Sequence, residues 1–415
     1  MSSRGAANPD IVVAGHICLD VIPAIHGGNK NAPGGHQGHG RIGDLLAPGK
    51  LVDIGPAQLS TGGAVSNTGL ALHRLGIPVK LMGKIGEDLF GDAIRSILGE
   101  YGDDLAEGMI VAPNEHSSYT LVISPPDVDR IFLHCTGAND TFTAEDVAME
   151  SLRGAKLFHF GYPPLMRRMY ERQGAELKTL LSGVKEEGLT VSLDLARPDP
   201  DSPAGQADWA AILAEALPYV DVFLPSFEEI LYMLRPDKYN ELSERHGTTE
   251  LLAWAEGPLL GSLSQQLLDM GAAIVGIKLG EHGLYVRTTA SAERLRGLGK
   301  CAPDAERLSN WLDKELLAPC YAVNVVGTTG AGDCTIAGFL TGLVKGLPIE
   351  EMLLGAVGVG ACNVERADAV SGIPDWETVQ GRIASGWKQR EATLPLPGWT
   401  YRQSYGIWEN VLGRV

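Results

Sequence analysis

Seven short runs rich in β-branched and aliphatic residues recur along the chain: Ile11–Gly15, Lys80–Gly86, Lys156–Gly161, Thr190–Ala196, Asp221–Pro225, Ile274–Gly280 and Val323–Val326. Several are apolar at nearly every position. A strand with one wet face alternates polar and apolar residues, whereas a strand covered on both faces does not, and that cover is what a parallel sheet requires. Longer stretches with helical spacing stand between the runs: Ala64–Leu75, Phe90–Tyr101, Tyr170–Glu187 and Thr335–Lys345. The alternation predicts an α/β fold of three layers, with helices on both faces of a mostly parallel sheet. No internal repeat interrupts it.

Two segments depart from this rhythm. Residues 22–60 hold a loop rich in Gly, His and Asn, followed by the strand-like LVDIGPAQL; residues 117–135, SSYTLVISPPDVDRIFLHC, suggest two strands around a Pro-Pro turn. Both look antiparallel and predict a small sheet separate from the main one. The tail from Ser385 carries Trp387, Trp399 and Trp408 among several prolines and suggests an ordered strap over the core.

The totals narrow the function. A chain of 415 residues buries at least one large core. Its net charge of −17 argues against a nucleic-acid partner, which needs a basic face. No stretch reaches the roughly 18 apolar residues of a membrane span, and the start, MSSRGAANPD, has no apolar core of a secretion signal, so a cytoplasmic address is expected. Six scattered cysteines without a C-x-x-C pair indicate reduced, mostly buried thiols. His26, His36 and His39 lie in the Gly-rich loop without a metal-ligand frame.

The chemistry concentrates in VVGTTGAGDC, residues 325–334, between a strand-like and a helix-like run. A helix N-terminus offers backbone N–H groups and a partial positive charge to a phosphate or a developing anion. The loop lacks the lysine of a G-x-x-x-x-G-K-[ST] phosphate loop and ends in a carboxylate instead. Asp333 there suits a general base that takes a proton from an alcohol, while the amides of Gly330, Ala331 and Gly332 hold the transferring phosphoryl oxygens. A plain strand-to-helix turn capped by Thr or Asp is the simpler alternative.

TTGAGD, followed by Ala337-Gly338-Phe339-Leu340 and later by Gly346-Leu347-Pro348, resembles the C-terminal signature of the ribokinase/phosphofructokinase-B family of carbohydrate kinases. The likeness extends over nearly the whole chain. GHICLD, residues 15–20, looks like the family's first strand, whose terminal Asp, here Asp20, binds substrate hydroxyls. Thr61-Gly62-Gly63 resembles its substrate-binding glycine pair, with Asn67 in the helix beyond, and KIGEDLFG at 84–91 its next block. Lys278-Leu279-Gly280-Glu281-His282-Gly283 is similar to its nucleotide-site strand and turn.

The resemblance implies a single ribokinase-like domain: a three-layer αβα core with a β-sheet lid at about 17–61 and 115–137. It implies ATP and Mg²⁺, with Lys278, Gly280, Gly283, Ser226 and Thr328 at the nucleotide and Glu229 holding Mg²⁺ through water. The substrate is then a sugar or polyol, and an apolar lid face predicts a homodimer. Three positions depart from the family. Pro225-Ser226-Phe227-Glu228-Glu229 gives S-x-x-E where the family has N-x-x-E. Gly327 replaces an Asp linked to monovalent-cation binding, with Asp368 standing further on in place of a small residue, which leaves K⁺ dependence undecided. Val357 replaces an Asn that ribokinase has near the adenine.

Arg197 and Arg130 are candidate anion contacts, with structural pairing as the alternative, and the Gly338/Gly342 spacing suggests close helix packing. Three readings therefore stand: a sugar kinase, a nucleoside kinase of the same chemistry, and a catalytically silent sugar or nucleotide sensor. A nicotinamide dehydrogenase ranks last, because the first strand lacks G-x-G-x-x-G.

Overall fold

The computed structural model describes residues 8–25, 48–124, 130–247 and 251–411. The Gly-rich loop with His26, His36 and His39 lies outside them. The first eight strands are β1 (Ile11–Gly15), β2 (Cys18–Pro23), β3 (Ala57–Gly62), β4 (Val79–Met82), β5 (Lys84–Gly86), β6 (Ile110–Ala112), β7 (Tyr119–Ile123) and β8 (Ile131–Cys135). Then come β9 (Leu157–Gly161), β10 (Thr190–Leu193), β11 (Val222–Phe223), β12 (Ile274–Lys278), β13 (Leu284–Thr288), β14 (Glu315–Ala318), β15 (Trp399–Arg402) and β16 (Ile407–Asn410). The helices that matter below are α1 (Ala64–Arg74), α2 (Leu89–Tyr101), α3 (Ala175–Glu186), α4 (Phe227–Leu234), α5 (Ala331–Val344) and α6 (Ile349–Val364).

Ten strands form the main sheet, in the order β15-β16-β14-β13-β12-β11-β10-β9-β1-β4. From β4 to β12 neighbours run parallel; from β12 to β15 they run antiparallel. The two-faced burial expected of parallel strands is visible in β1. Ile11 and Val13 point into one core with Val65 and Leu70 of α1, Leu340 of α5 and Leu353 of α6. Val12 and Ala14 point into the other, with Leu177 and Leu180 of α3 and Ile230 of α4. This is the three-layer α/β arrangement.

The small sheet has the order β3-β2-β7-β8. Its alternating faces differ in chemistry. Ser60, Asp20, Thr120 and His134 form one cross-strand row, and Leu59, Val21, Leu121 and Leu133 form the row beside it, on the opposite face.

Several expectations are corrected. The two irregular segments are not simply antiparallel, because β2 and β7 pair in parallel where the two hairpins meet. Lys80–Gly86 divides at Gly83 into β4, in the main sheet, and β5, which pairs with β6. Val323–Val326 joins no strand: the place beside β14 is taken by β16, and Val326 N–H donates instead to the carbonyl of Val364 at 2.8 Å. LVDIGPAQL enters a strand only from Ala57, and α5 starts at Ala331 rather than Thr335. Asp20 does not end the first strand: β1 stops at Gly15, whose φ of 124° turns the chain into β2 of the small sheet. The tail supplies β15 and β16, which widen the main sheet.

Candidate active site

Open parallel sheets collect ligands beyond the carboxyl ends of their strands. Here those ends carry, in turn, His16 after β1, Tyr162 after β9, Asp194 after β10 and Ser226 shortly after β11, while Lys278 is the last residue of β12. The N-terminus of α5 is aimed at the same edge.

Gly330 caps α5 with φ 72°, the left-handed region, and a Cβ there would lie 2.9 Å from the Ala369 Cβ. Only glycine fits both demands. Of the three predicted amides, the Ala331 N–H already donates to the Thr328 carbonyl at 3.3 Å. Gly332 lies against the Lys278 stem, so a Cβ there would meet Lys278 Cδ at 3.5 Å.

Asp333 is 3% exposed and held by neutral donors. The Tyr162 hydroxyl donates to its two carboxylate oxygens at 2.8 and 2.9 Å, Asn67 Nδ2 donates at 3.0 Å and Thr68 Oγ1 at 3.4 Å. Burial pushes the Asp333 carboxyl above the usual carboxylate range, against the opposing pull of Lys278 and these donors. Tyr162 adopts φ 66° and ψ 43°, a left-handed conformation uncommon for a bulky residue, which aims its ring at Asp333.

Lys278 Nζ pairs with Asp194 Oδ1 at 2.6 Å, and both groups are withdrawn from water. The other Asp194 oxygen is buried without a partner. Burial, with Glu229 and Asp333 nearby, lifts the Asp194 carboxyl to about 8 despite Lys278. Burial also raises Glu229 and Glu228. Lys278 remains the cation: burial works against its charge, but Asp194, Glu229 and Asp333 outweigh it and raise its pKa. Ser226 caps α4 reciprocally with Glu229: Ser226 N–H donates to Glu229 Oε2 at 2.7 Å, and Glu229 N–H to Ser226 Oγ at 3.3 Å. A lone bridge between Ser226 and Lys278 ties this cap to β12.

Two cavities meet at this edge. One, of about 430 Å³, holds Ser226, Glu228, Glu229, Lys278, Gly280, Gly283, Thr328 and the 330–333 loop. Its other wall is apolar, with Tyr321, Val323, Val357, Ala361 and Val364. Tyr321 is backed by Trp387, stacked at 4.4 Å, and Arg390 pairs with Glu281 at the rim at 2.9 Å. The second cavity, of about 1110 Å³, is lined by Asp20, Ser60, Asn67, Arg130, Phe132 and Asp368 among others, and shares Thr328 with the first. Asp333 lies in the wall between them, lining the smaller and bonded to Asn67 of the larger.

Most predicted residues converge here. Gly62 and Gly63 act from behind. A Cβ on Gly62 would lie 2.3 Å from Asp20 Oδ2, and one on Gly63, at φ 85°, would strike His16. Arg130 donates to Thr328 Oγ1 at 3.2 Å and to the Thr329 hydroxyl, so it bridges the small sheet to the glycine loop. Arg197 donates to the Tyr239 hydroxyl at 3.3 Å and lines neither cavity. Gly327 is pressed against residues 366–367, where a Cβ would lie 2.9 Å from the Ala367 Cα. The Asp368 carboxylate is turned onto its own loop, accepting from the N–H groups of Val370 and Ser371 and from the Ser371 hydroxyl, which holds it below the usual carboxylate range. Tyr162, Thr68, Asp194 and Tyr321 were not anticipated. Tyr162 and Asp194 carried a signal, since Tyr162 follows the predicted strand Lys156–Gly161 and Asp194 lies near the end of the predicted strand Thr190–Ala196.

The chain matches the pfkB family carbohydrate kinase over residues 44–376. It is 25% identical over 348 residues to 2-dehydro-3-deoxygluconokinase of Bacillus subtilis, covering 81% of this chain and 90% of that protein. Its fold resembles the ribokinase of Arabidopsis thaliana solved with ribose and ATP, at TM-score 0.64 and 20% identity over 90% of this chain and 98% of that one. It also resembles the fructokinase of Xylella fastidiosa with bound ATP, at TM-score 0.63 and 18% identity over 91% of this chain and 99% of that one. With the family matched over most of its length, this chain belongs to the pfkB family of carbohydrate kinases.

Proposed function

We propose that this carbohydrate kinase moves the γ-phosphoryl group of ATP to a hydroxyl of a sugar or sugar-like polyol, with Asp333 as general base. The observation that carries the reading is the placement of Asp333 between two cavities, one apolar-walled with a glycine-rich rim, the other lined by hydroxyl- and carboxylate-bearing side chains. ATP fits the first, with its base against Tyr321, Val357 and Val364 and its phosphates at Lys278, Thr328 and the 330–332 loop. The sugar fits the second, where Asp20 accepts from its hydroxyls and Asn67 steadies both substrate and base.

Three neutral donors hold the carboxylate in place, and its raised pKa brings its basicity closer to that of the hydroxyl proton it must take. The helix N-terminus offers the developing charge on the phosphoryl oxygens a fixed partial positive charge that needs no reorganisation.

The same cavity suits a hard divalent cation. Glu228 and Glu229 bring only oxygen donors, and buried Asp194 keeps one carboxyl oxygen without a partner. Glu229, with Glu228, would hold Mg²⁺ through water, and the ion would neutralise charge on the nucleotide phosphates. The apolar row Leu59, Val21, Leu121 and Leu133 supports a homodimer formed through the small sheet, which then acts as a lid over the sugar cavity.

The test is a coupled ATPase screen over ribose, fructose, ketodeoxy sugar acids, inositols and nucleosides, repeated with Asp333→Asn on the best acceptor. Turnover should fall at least ~100-fold with ATP and sugar binding retained. Binding retained with a smaller loss would refute the base. A nucleoside turned over best would move the reading to a nucleoside kinase, and ligand binding without any ATP consumption would leave a sensor.

A further inference from the structure

Where β1 hands over to β2, three side chains that phosphoryl transfer does not use converge. His16 and Cys18 are buried, while His134, on β8, is exposed at the inner row of the small sheet. A ligand atom from each lies within 4.8 Å of the other two. The Nε2 atoms of His16 and His134 are 3.2 Å apart.

That spacing has a geometric meaning. A tetrahedral zinc ion with Zn–N bonds of about 2.0–2.1 Å sets its nitrogen ligands roughly 3.3 Å apart, close to the separation already present. Thr120 Oγ1 sits 3.0 Å from His134 Nδ1 and 3.6 Å from Cys18 Sγ, so it orients the imidazole with Nε2 facing His16. Such an outer partner is what a metal-binding histidine ordinarily has. His16 Nδ1, by contrast, is buried without any partner, so the Nε2 contact with His134 is the side-chain hydrogen bond that fixes its ring. The Cys18 thiol donates to Asp20 Oδ1 at 3.4 Å, and this is the proton that metal binding would release.

We propose that His16, Cys18 and His134 form a binding site for a zinc-class divalent ion, with one thiolate and two imidazole ligands and a fourth position for water. Nitrogen and sulfur donors separate it from the oxygen-lined Mg²⁺ position, since magnesium favours oxygen. On binding, the Cys18 S–H bond gives way to a metal–sulfur bond and its proton leaves to solvent, while the histidines bind through Nε2 lone pairs. The ion would tie β2 and β8 of the small sheet to the end of β1. The proposal is independent of the kinase reading, because it needs neither ATP nor sugar.

The experiment uses the full chain without an affinity tag, stripped by a chelator and titrated with Co²⁺ as a spectroscopic stand-in for zinc. One equivalent should give a thiolate-to-metal charge-transfer band and intensified visible bands, both removed by Zn²⁺. Cys18→Ser should abolish the charge-transfer band, and His134→Gln, at an exposed strand position, should weaken Co²⁺ binding by roughly 10-fold or more. Thermal melting verifies that both variants fold, and His134→Gln carries the test if Cys18→Ser does not. Absence of the thiolate band in the wild type overturns the proposal. Affinity unchanged in His134→Gln overturns it too, as does binding without a thiolate band, which would place the ion on the other histidines.

Discussion

Tyr162→Phe isolates what holds the proposed base ready. The phenol is a single donor, shared between the two Asp333 oxygens at 2.8 and 2.9 Å. A hydrogen bond to a charged group contributes about 1.5–3 kcal/mol, nearly all of it to the ionised carboxylate, because the protonated form accepts more weakly. Removing the hydroxyl therefore raises an affinity for protons that burial has already raised. At about 1.4 kcal/mol per pH unit, the acid limb of kcat/KM should move upward by roughly one to two pH units. Above that limb the rate should return close to the wild-type value, since Phe keeps the ring and Asn67 and Thr68 still hold the carboxylate. The assay is coupled ADP release at saturating ATP, with the sugar chosen by the screen varied across the acid and neutral range. An acid limb unmoved from the wild-type position refutes the argument. A loss of equal size at every pH does so as well, since it would place Tyr162 on the substrate and not on the base.

Three further outcomes follow from the same geometry. Gly62→Ala forces a Cβ to within 2.3 Å of Asp20 Oδ2 and should raise KM for the sugar while leaving KM for ATP in place; equal changes in both would separate Asp20 from sugar binding. Turnover should not respond when K⁺ is exchanged for a bulky organic cation, because residues 366–367 leave no room for a carboxylate at 327 and Asp368 is turned onto its own loop; activation by added K⁺ would refute this. Leu133→Lys puts a charge into the apolar row of the small sheet and should convert a dimer to monomer in light scattering, whereas a mass unchanged by the substitution argues against that interface.

The parallel half of the fold was legible because double-sided burial writes apolar residues at consecutive positions, as in IVVAG and KLFHFG. The antiparallel half was not. Strands such as β14 and β16 are four residues long, and one of the two partners of β14, β16, lies about ninety residues away. The same distance in sequence hid the parallel pairing of β2 with β7, which no local pattern encodes. VNVV at 323–326 has the composition of a strand, but β propensity needs a neighbour to pair with, and that place was occupied. In the site, TTGAGD was readable because loop, helix start and carboxylate are contiguous. Tyr162 and Asp194 were overlooked because their roles come from the alignment of strand ends, a property of the sheet rather than of any motif.

That alignment also answers why an anion stands beside a cradle for anions. If Lys278 closed directly on Asp333, the carboxylate would be a cation's partner and a weak base. Instead the ammonium pairs with Asp194 at 2.6 Å, its only ion pair among the described residues, and Asp333 is left to three neutral donors. Asp194 thus does structural work for a residue it does not touch. It anchors Lys278 along the glycine loop, where the proposed nucleotide phosphates would meet its charge, and keeps it off the proposed base. The cost is a buried carboxyl oxygen without a partner on a group whose ionised form burial disfavours, a form that a divalent cation arriving with the nucleotide would stabilise. On this proposal the cluster of buried carboxyls would gain from a divalent cation, and the proposed base would stay basic until the acceptor hydroxyl reaches it.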